Sequence, residues 1–379
     1  GLSNQQKSYL KQRFELIDSS TPNTYAYFLG LSKQIGFGYI TQILPDSILV
    51  KDFAKTRNNF KDNLYNISWY QNTALPDEFR PFLDVEHDVC VLFFNMKRAT
   101  LDCEISTRFY QNKQILETQG VKRKDEFILE GYENTYNLLL RDKDITIAKK
   151  IDDLDKLDEW MQCHEGIHSG NIRDKLFKND RSKGVEKEMF LGGRGGDTIN
   201  NYFSLRTGNW FVDYDQNLIN KKAGEYASLR DERIFAYPKI YITRTGNPLK
   251  AFLDIDSYAS NNFFSIQFKD YNINSSEKLE PILCLLNSKF ANYLIRTLIA
   301  PSLGDTFVET KIFHILKLPL NENLIENERL RSLVASIRTA FSEKDLEETA
   351  RIQKEIDRLV YRLYGLTEEE IGIVEKSNN

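Results

Sequence analysis

The sequence predicts an α/β block followed by an α+β block that closes in a helical hairpin. Three observations carry this expectation. Residues 37–110 alternate β-branched and aromatic runs with helix-forming segments. Residues 166–320 turn to short apolar runs separated by Gly, Asn and Tyr. Residues 321–379 show two apolar stripes at helical spacing.

In the first block, residues 37–41 read as a strand that ends on the turn Pro45-Asp46-Ser47, with a helix over 52–60 and a strand over 64–70. The run Val89-Cys90-Val91-Leu92-Phe93-Phe94 has no polar alternation, so a strand buried on both faces is expected. Residues 111–165 read as a polar, helical connector. Within it Ile151, Leu154, Leu157 and Trp160 recur every third position, as in a short amphipathic helix. Strands follow at 239–243 and 263–266, set among residues suited to displayed loops. At the end, Leu330, Leu333, Val334, Ile337 and Phe341 form one helical stripe. Leu346, Ile352, Ile356, Leu359, Val360 and Leu363 form a second after a break near Ser342. Thr367 and Glu370 have capping-box spacing and start a last short helix after Gly365. The expected divisions are 1–110, 111–165, 166–320 and 321–379.

With 41% hydrophobic and 28% charged residues the composition is that of a globular chain, and no apolar run approaches the roughly 20 residues of a membrane span. The N-terminal residues lack the charged and apolar regions of a secretory signal. Cys90, Cys103, Cys163 and Cys284 are scattered, which suggests free thiols in a reducing, cytoplasmic setting. A net charge of −4 argues against binding nucleic acid over the whole surface. Residues 166–250, however, hold 15 Lys and Arg against 10 Asp and Glu, so a phosphate backbone would be welcome there.

Chemistry-bearing patterns are few. The segment 191–197, with Arg194 among four glycines, has neither dinucleotide-binding nor P-loop spacing, which leaves a loop presenting Arg194 or a plain surface turn. Cys163, His164 and His168 are interrupted by Gly166 and lack a second ligand pair, so no metal site is expected. Asp305, Glu309 and Lys311 contain a Glu-x-Lys element of the kind metal-dependent nucleases use. No nucleophile elbow or carboxylate pair stands out, and no catalytic residue is assigned.

Several segments in order resemble the N6-adenine DNA methyltransferases of type II restriction systems, including the fused methylase-endonuclease enzymes, with a TaqI-like C-terminal specificity domain. They are the opening stretch to Pro45-Asp46-Ser47, residues 85–97, Gly166 to Phe177, Gly193-Arg194, Tyr237 to Gly246, Leu285 to Phe290, 316–320 and 357–366. The resemblance implies a truncated Rossmann-like methyltransferase sheet over 1–110, a mixed target-recognition domain over 166–320, and C-terminal helices packed on that domain.

In such enzymes a flipped adenine is methylated at N6 by S-adenosylmethionine. The Asn-Pro-Pro-Tyr motif and the strand-ending glycine motif of that chemistry are absent from these 379 residues. The resemblance therefore implies double-stranded DNA as partner and the cofactor only in a complete enzyme. An N-terminal catalytic portion is implied as a second partner. Base-edge readers are expected among Arg194, Asn200, Asn201, Arg206, Arg244, Asn261 and Asn262, because Arg suits guanine and Asn suits adenine. Lys175, Lys239, Lys250 and Lys289 are expected on phosphates. Phe79 and Phe82 are candidates to stack near a flipped base. The alternatives are a metal-dependent nuclease module and a non-catalytic scaffold.

Overall fold

A computed structural model describes residues 2–15, 17, 23–51, 53–111, 113–181, 184, 186–192, 198–199, 201–202, 204–205, 209–246, 248–301 and 310–378. The chain forms two compact units, Gly1–Lys149 with Ala300–Phe307, and Lys150–Ile299 with Val308–Asn379.

The first unit is built on a five-stranded sheet of β1 (Tyr39–Pro45), β2 (Leu64–Tyr70), β3 (Val89–Asn95), β4 (Asp102–Gln111) and β5 (Gln114–Arg123), in the order β1-β3-β2-β4-β5. β3 runs antiparallel to both β1 and β2, β2 pairs parallel with β4, and β4 and β5 form a hairpin. The sheet is therefore mixed. Helices Thr24–Ile35 and Ala54–Phe60 bring Ala26, Leu29 and Phe60 into a core with Ile40, Ile67, Leu92, Phe94 and Ile105.

β3 departs from the expectation of a strand buried on both faces. Cys90, Leu92 and Phe94 are buried, whereas Val91 and Phe93 are half-buried on the other face, where Tyr65 meets Phe93 and Tyr39 edge-on. An apolar run thus alternates once it lies in a pleated strand. Buried Arg57 donates to the carbonyls of Ile48, Lys51, Glu133 and Asn134, which ties the turn at 133–134 to the Ala54–Phe60 helix.

The helical connector is overturned. Residues 111–165 contain β5, the short pair β6 (Ile128–Leu129) and β7 (Thr135–Tyr136), the helix Asp142–Ile151 and the strand β8 (Met161–Glu165). The stripe from Ile151 to Trp160 is not one helix. Leu157 donates to Leu318 and Leu320 donates to Asp155, so this backbone pairs with a distant segment, and the helical turn Leu157–Trp160 starts afresh. Tertiary pairing has won over a helical period.

The second unit holds an antiparallel sheet of β15 (Ala251–Asp254), β14 (Lys239–Thr243), β17 (Phe263–Phe268) and β8, in that order. A second sheet runs β16 (Tyr258–Ala259), β10 (Lys187–Phe190), β13 (Phe211–Val212) and β9 (Phe177–Lys178). A small hairpin joins β11 (Thr198–Ile199) to β12 (Ser204–Leu205). Phe190 packs against Tyr241, Phe252 and Phe263, which makes an aromatic core between the two larger sheets.

Helix Ser276–Leu286 packs on β14 and β15 and meets helix Glu328–Ser342, which is paired in turn with Leu346–Leu363. Side chains of Asn327 and Asp345 cap the last two, and Thr367 with Glu370 forms the expected capping box of Glu368–Ser377. Leu346 alone among the stripe residues is largely exposed, since it is the first residue after its cap.

Asp357 on the Leu346–Leu363 helix is 2% exposed and accepts the backbone N–H of Lys289 at 2.9 Å. Burial, which outweighs that hydrogen bond, pushes its carboxyl up to about 6. The native state then holds a proton that the unfolded chain releases near pH 4, so this group's contribution to stability is lost as pH rises through about 6. Asp357→Asn keeps the acceptor and removes the charge. It is expected to be more stable than the parent by on the order of 2–3 kcal/mol near pH 7.5 and equal to it near pH 4, read by urea denaturation at the two pH values.

Candidate nucleic-acid interface

The end of the β15-β14-β17-β8 sheet at which β8 and β14 terminate gathers Arg244, Lys250, Asn261 and Asn262. Glu165, the last residue of β8, lies opposite Phe264, and Thr243, the last of β14, lies opposite Phe263. β10 arrives there too, pairing Phe190 with Ala259. The segments that follow are knitted together by backbone bonds. Gly166 donates to Phe263, Asn261 to Ile167 and Arg244 to Asn262, while the Asn262 amide donates to Leu191 at 2.8 Å.

Two glycines make this packing possible. A side chain at Gly166 would put a Cβ 2.3 Å from the Ser260 carbonyl oxygen. Gly170 has a φ of +55°, and its Cβ would stand 1.8 Å from the carbonyl oxygen of Tyr226. No side chain fits at either position without backbone movement.

Charge is concentrated at the same end. The Arg230 guanidinium donates to Glu165 at 2.6 Å and to the Gly166 carbonyl at 3.2 Å. Arg244 approaches the other oxygen of Glu165 at 3.6 Å and lies over the Phe264 ring at 5.9 Å. All three ionic side chains are about one-third exposed, at 30% for each arginine and 34% for Glu165. Beside them His168 stacks on Tyr226 and accepts the Gly170 N–H through Nδ1. His164 is half-buried, and burial first and Arg230 second hold its imidazole below the usual range.

Of the expected readers, Arg244, Asn261 and Asn262 therefore stand together. Lys250 joins them, because it is exposed and closes the turn after β14 by pairing its backbone with Thr243. Asn201 is half-buried beside Tyr202, whose N–H donates to Ala251. Arg194, Asn200 and Arg206 lie outside the described residues, as do Asp305 and Glu309. Lys175 is ion-paired with Glu225.

One phosphate assignment, Lys239, is corrected. Lys239 sits at the far end of β14 with its side chain fully buried, bound to Asp254 at 3.1 Å and to the carbonyls of Phe235 and Tyr237. Burial pulls its ammonium below the usual lysine range despite Asp254. Lys289 is neutralised by Glu375 on the last helix, and its backbone N–H binds Asp357. The enclosed Lys239 ammonium is not offered to a ligand, whereas the Lys289 side chain remains 36% exposed beside Glu375.

Arg230 and Glu165 were not among the expected residues. The φ of +69° that turns Arg230 toward Glu165 leaves no sequence signal in a residue other than Gly.

In the first unit, Phe79 and Phe82 lie in the loop between β2 and β3. Fully buried Asn72 organises this loop by donating to the carbonyls of Phe82 and Val85 and accepting the Phe82 N–H. Asp88 receives the N–H and hydroxyl of Thr73. Phe79 is 43% exposed and Phe82 half-buried, and neither belongs to the hydrophobic core. Among the described residues no cluster of three or more His, Cys, Asp or Glu is arranged to hold a metal ion. All four cysteines are buried free thiols, and no described helix is long and apolar enough to cross a membrane.

Residues 194–320 match the family model of the TaqI-like C-terminal specificity domain. Arg244, Lys250, Asn261 and Asn262 fall inside the matched residues, while Glu165 and Gly166 lie before their start. No curated protein matches the chain in sequence. Among solved structures, it is similar to the type IIL restriction-modification enzyme MmeI in complex with DNA, at 11% identity and a TM-score of 0.58, covering 99% of this chain and 55% of that one. The type IIG restriction endonuclease BpuSI matches at 15% identity and a TM-score of 0.34, covering 96% and 53%. The ATP-dependent type ISP restriction-modification enzyme LlaBIII bound to DNA matches at 8% identity and 0.46, covering 90% and 28%. The chain spans about half the length of the first two. The similarity to MmeI shows a shared mixed α/β fold with C-terminal helices.

Proposed function

We propose that the chain is the sequence-reading portion of an adenine-specific DNA methyltransferase of a restriction–modification system, with double-stranded DNA as its partner. The observation that carries this reading is the specificity-domain match over 194–320, coupled with the gathering of Arg244, Asn261, Asn262 and Lys250 at one sheet end within it. Arg and Asn are the side chains that read guanine and adenine edges bidentately, and a lysine beside them suits a phosphate.

In this reading the first unit is the closing part of the methyltransferase sheet. β3, the strand that resembles the one closing such a sheet, lies between β1 and β2 and is antiparallel to both. S-adenosylmethionine belongs to the complete enzyme, since neither of its motifs is among these residues. Phe79, exposed on an otherwise hydrogen-bonded loop, is the better placed of the two aromatics to meet a base.

The test is selection of duplexes by the full chain from a randomised pool at several salt concentrations. The expected result is enrichment of one short motif, with binding that weakens linearly on a log–log salt plot. Binding without enrichment overturns sequence reading, and Mg²⁺-dependent cleavage of the pool supports the nuclease alternative instead.

A further inference from the structure

We infer that Glu165 is a positioning residue that sets sequence discrimination by holding Arg230 and Arg244 in one fixed arrangement. The inference rests on the DNA-reading proposal above and adds two residues to it.

A carboxylate is the wrong charge for a surface that meets phosphates, because it weakens binding to every sequence alike. Here it is built into the cluster. One oxygen accepts from Arg230 at 2.6 Å, the other faces Arg244 at 3.6 Å, and the adjoining Gly166 carbonyl takes the Arg230 Nε–H. Glu165 is fixed in turn by strand pairing with Phe264, the residue whose ring lies under Arg244.

Two guanidiniums sharing one carboxylate have fewer orientations than two free ones, and a planar fork discriminates only when its orientation is set before contact. The carboxylate also cancels one positive charge. The site therefore gains less from an arbitrary phosphate, and the ratio between correct and incorrect sequences rises. Each arginine remains about one-third exposed at this surface.

The experiment compares the full chain with Glu165→Gln on the duplex enriched from the random pool and on a scrambled duplex. Gln keeps the shape and removes the charge. The expected result is several-fold tighter binding to the scrambled duplex, a salt slope steeper by about one, and a discrimination ratio reduced by about tenfold. Adding Arg230→Gln should return scrambled-duplex affinity toward the parent, an effect that a merely structural role would not produce. If Glu165→Gln leaves both the ratio and the scrambled-duplex affinity unchanged, or if it weakens both duplexes equally together with a lowered melting temperature, the inference is overturned while DNA reading stands. If the parent chain prefers neither duplex, the underlying proposal fails and takes the inference with it.

Discussion

Lys239→Ala is expected to lower the free energy of unfolding by about 3–5 kcal/mol and to leave DNA binding by the folded protein unchanged. Lys239 begins β14, a strand buried along nearly its whole length, and its ammonium is completely enclosed. Three acceptors depend on it, namely the Asp254 carboxylate and the carbonyls of Phe235 and Tyr237. Removing the cation strands a carboxylate that is only 11% exposed, with just the Ser257 N–H left to it. A lone buried charge costs far more than a well-made pair contributes, so the loss should approach that of a core truncation. Urea denaturation with a matched Lys250→Ala control separates the two lysines. The exposed Lys250 should cost under about 1 kcal/mol in stability and should flatten the salt dependence of DNA binding by about one. A stable Lys239→Ala variant with a flattened salt dependence would restore the phosphate role that burial argues against.

The contrast between these lysines shows where the sequence was legible. The strands at 64–70 and 239–243 and the three C-terminal helices were readable, because local period and caps agree with the tertiary fold there. The segment from Ile151 to Trp160 was not, since its helical spacing competes with pairing to residues 318–320 more than 150 positions away. The half-buried face of β3 was hidden for a similar reason. Nothing in Val-Cys-Val-Leu-Phe-Phe says which face the helices will cover.

The candidate site divides the same way. Residue type was enough to nominate Arg244, Asn261 and Asn262. It was not enough to exclude Lys239, whose counter-charge Asp254 lies 15 positions away in sequence. Nor could it find Arg230 and Glu165, which are joined only when β8 and the segment before helix Arg233–Ala236 are brought to one sheet end.

Arg244→Ala should lower discrimination between the selected duplex and single-mismatch duplexes by roughly 1–3 kcal/mol at one position of the motif, with little change in folding stability. Its contact with Glu165 is long and partly exposed, so the ion pair itself contributes at most about 1 kcal/mol. Glu165 also keeps Arg230 at 2.6 Å when Arg244 is removed, so no charge is abandoned. What disappears is a guanidinium whose backbone is fixed by Asn262 and whose Cζ lies 5.9 Å from the centre of the Phe264 ring. Arg244→Lys should not rescue discrimination, because an ammonium restores the charge but not the two parallel donors that read a guanine edge. It should nevertheless restore most of the affinity for scrambled DNA. The lysine variant thus separates the roles. If it recovers affinity and specificity together, the requirement for the two parallel donors of Arg244 is overturned. If both variants behave as the parent does on every duplex, the DNA surface lies elsewhere on the domain.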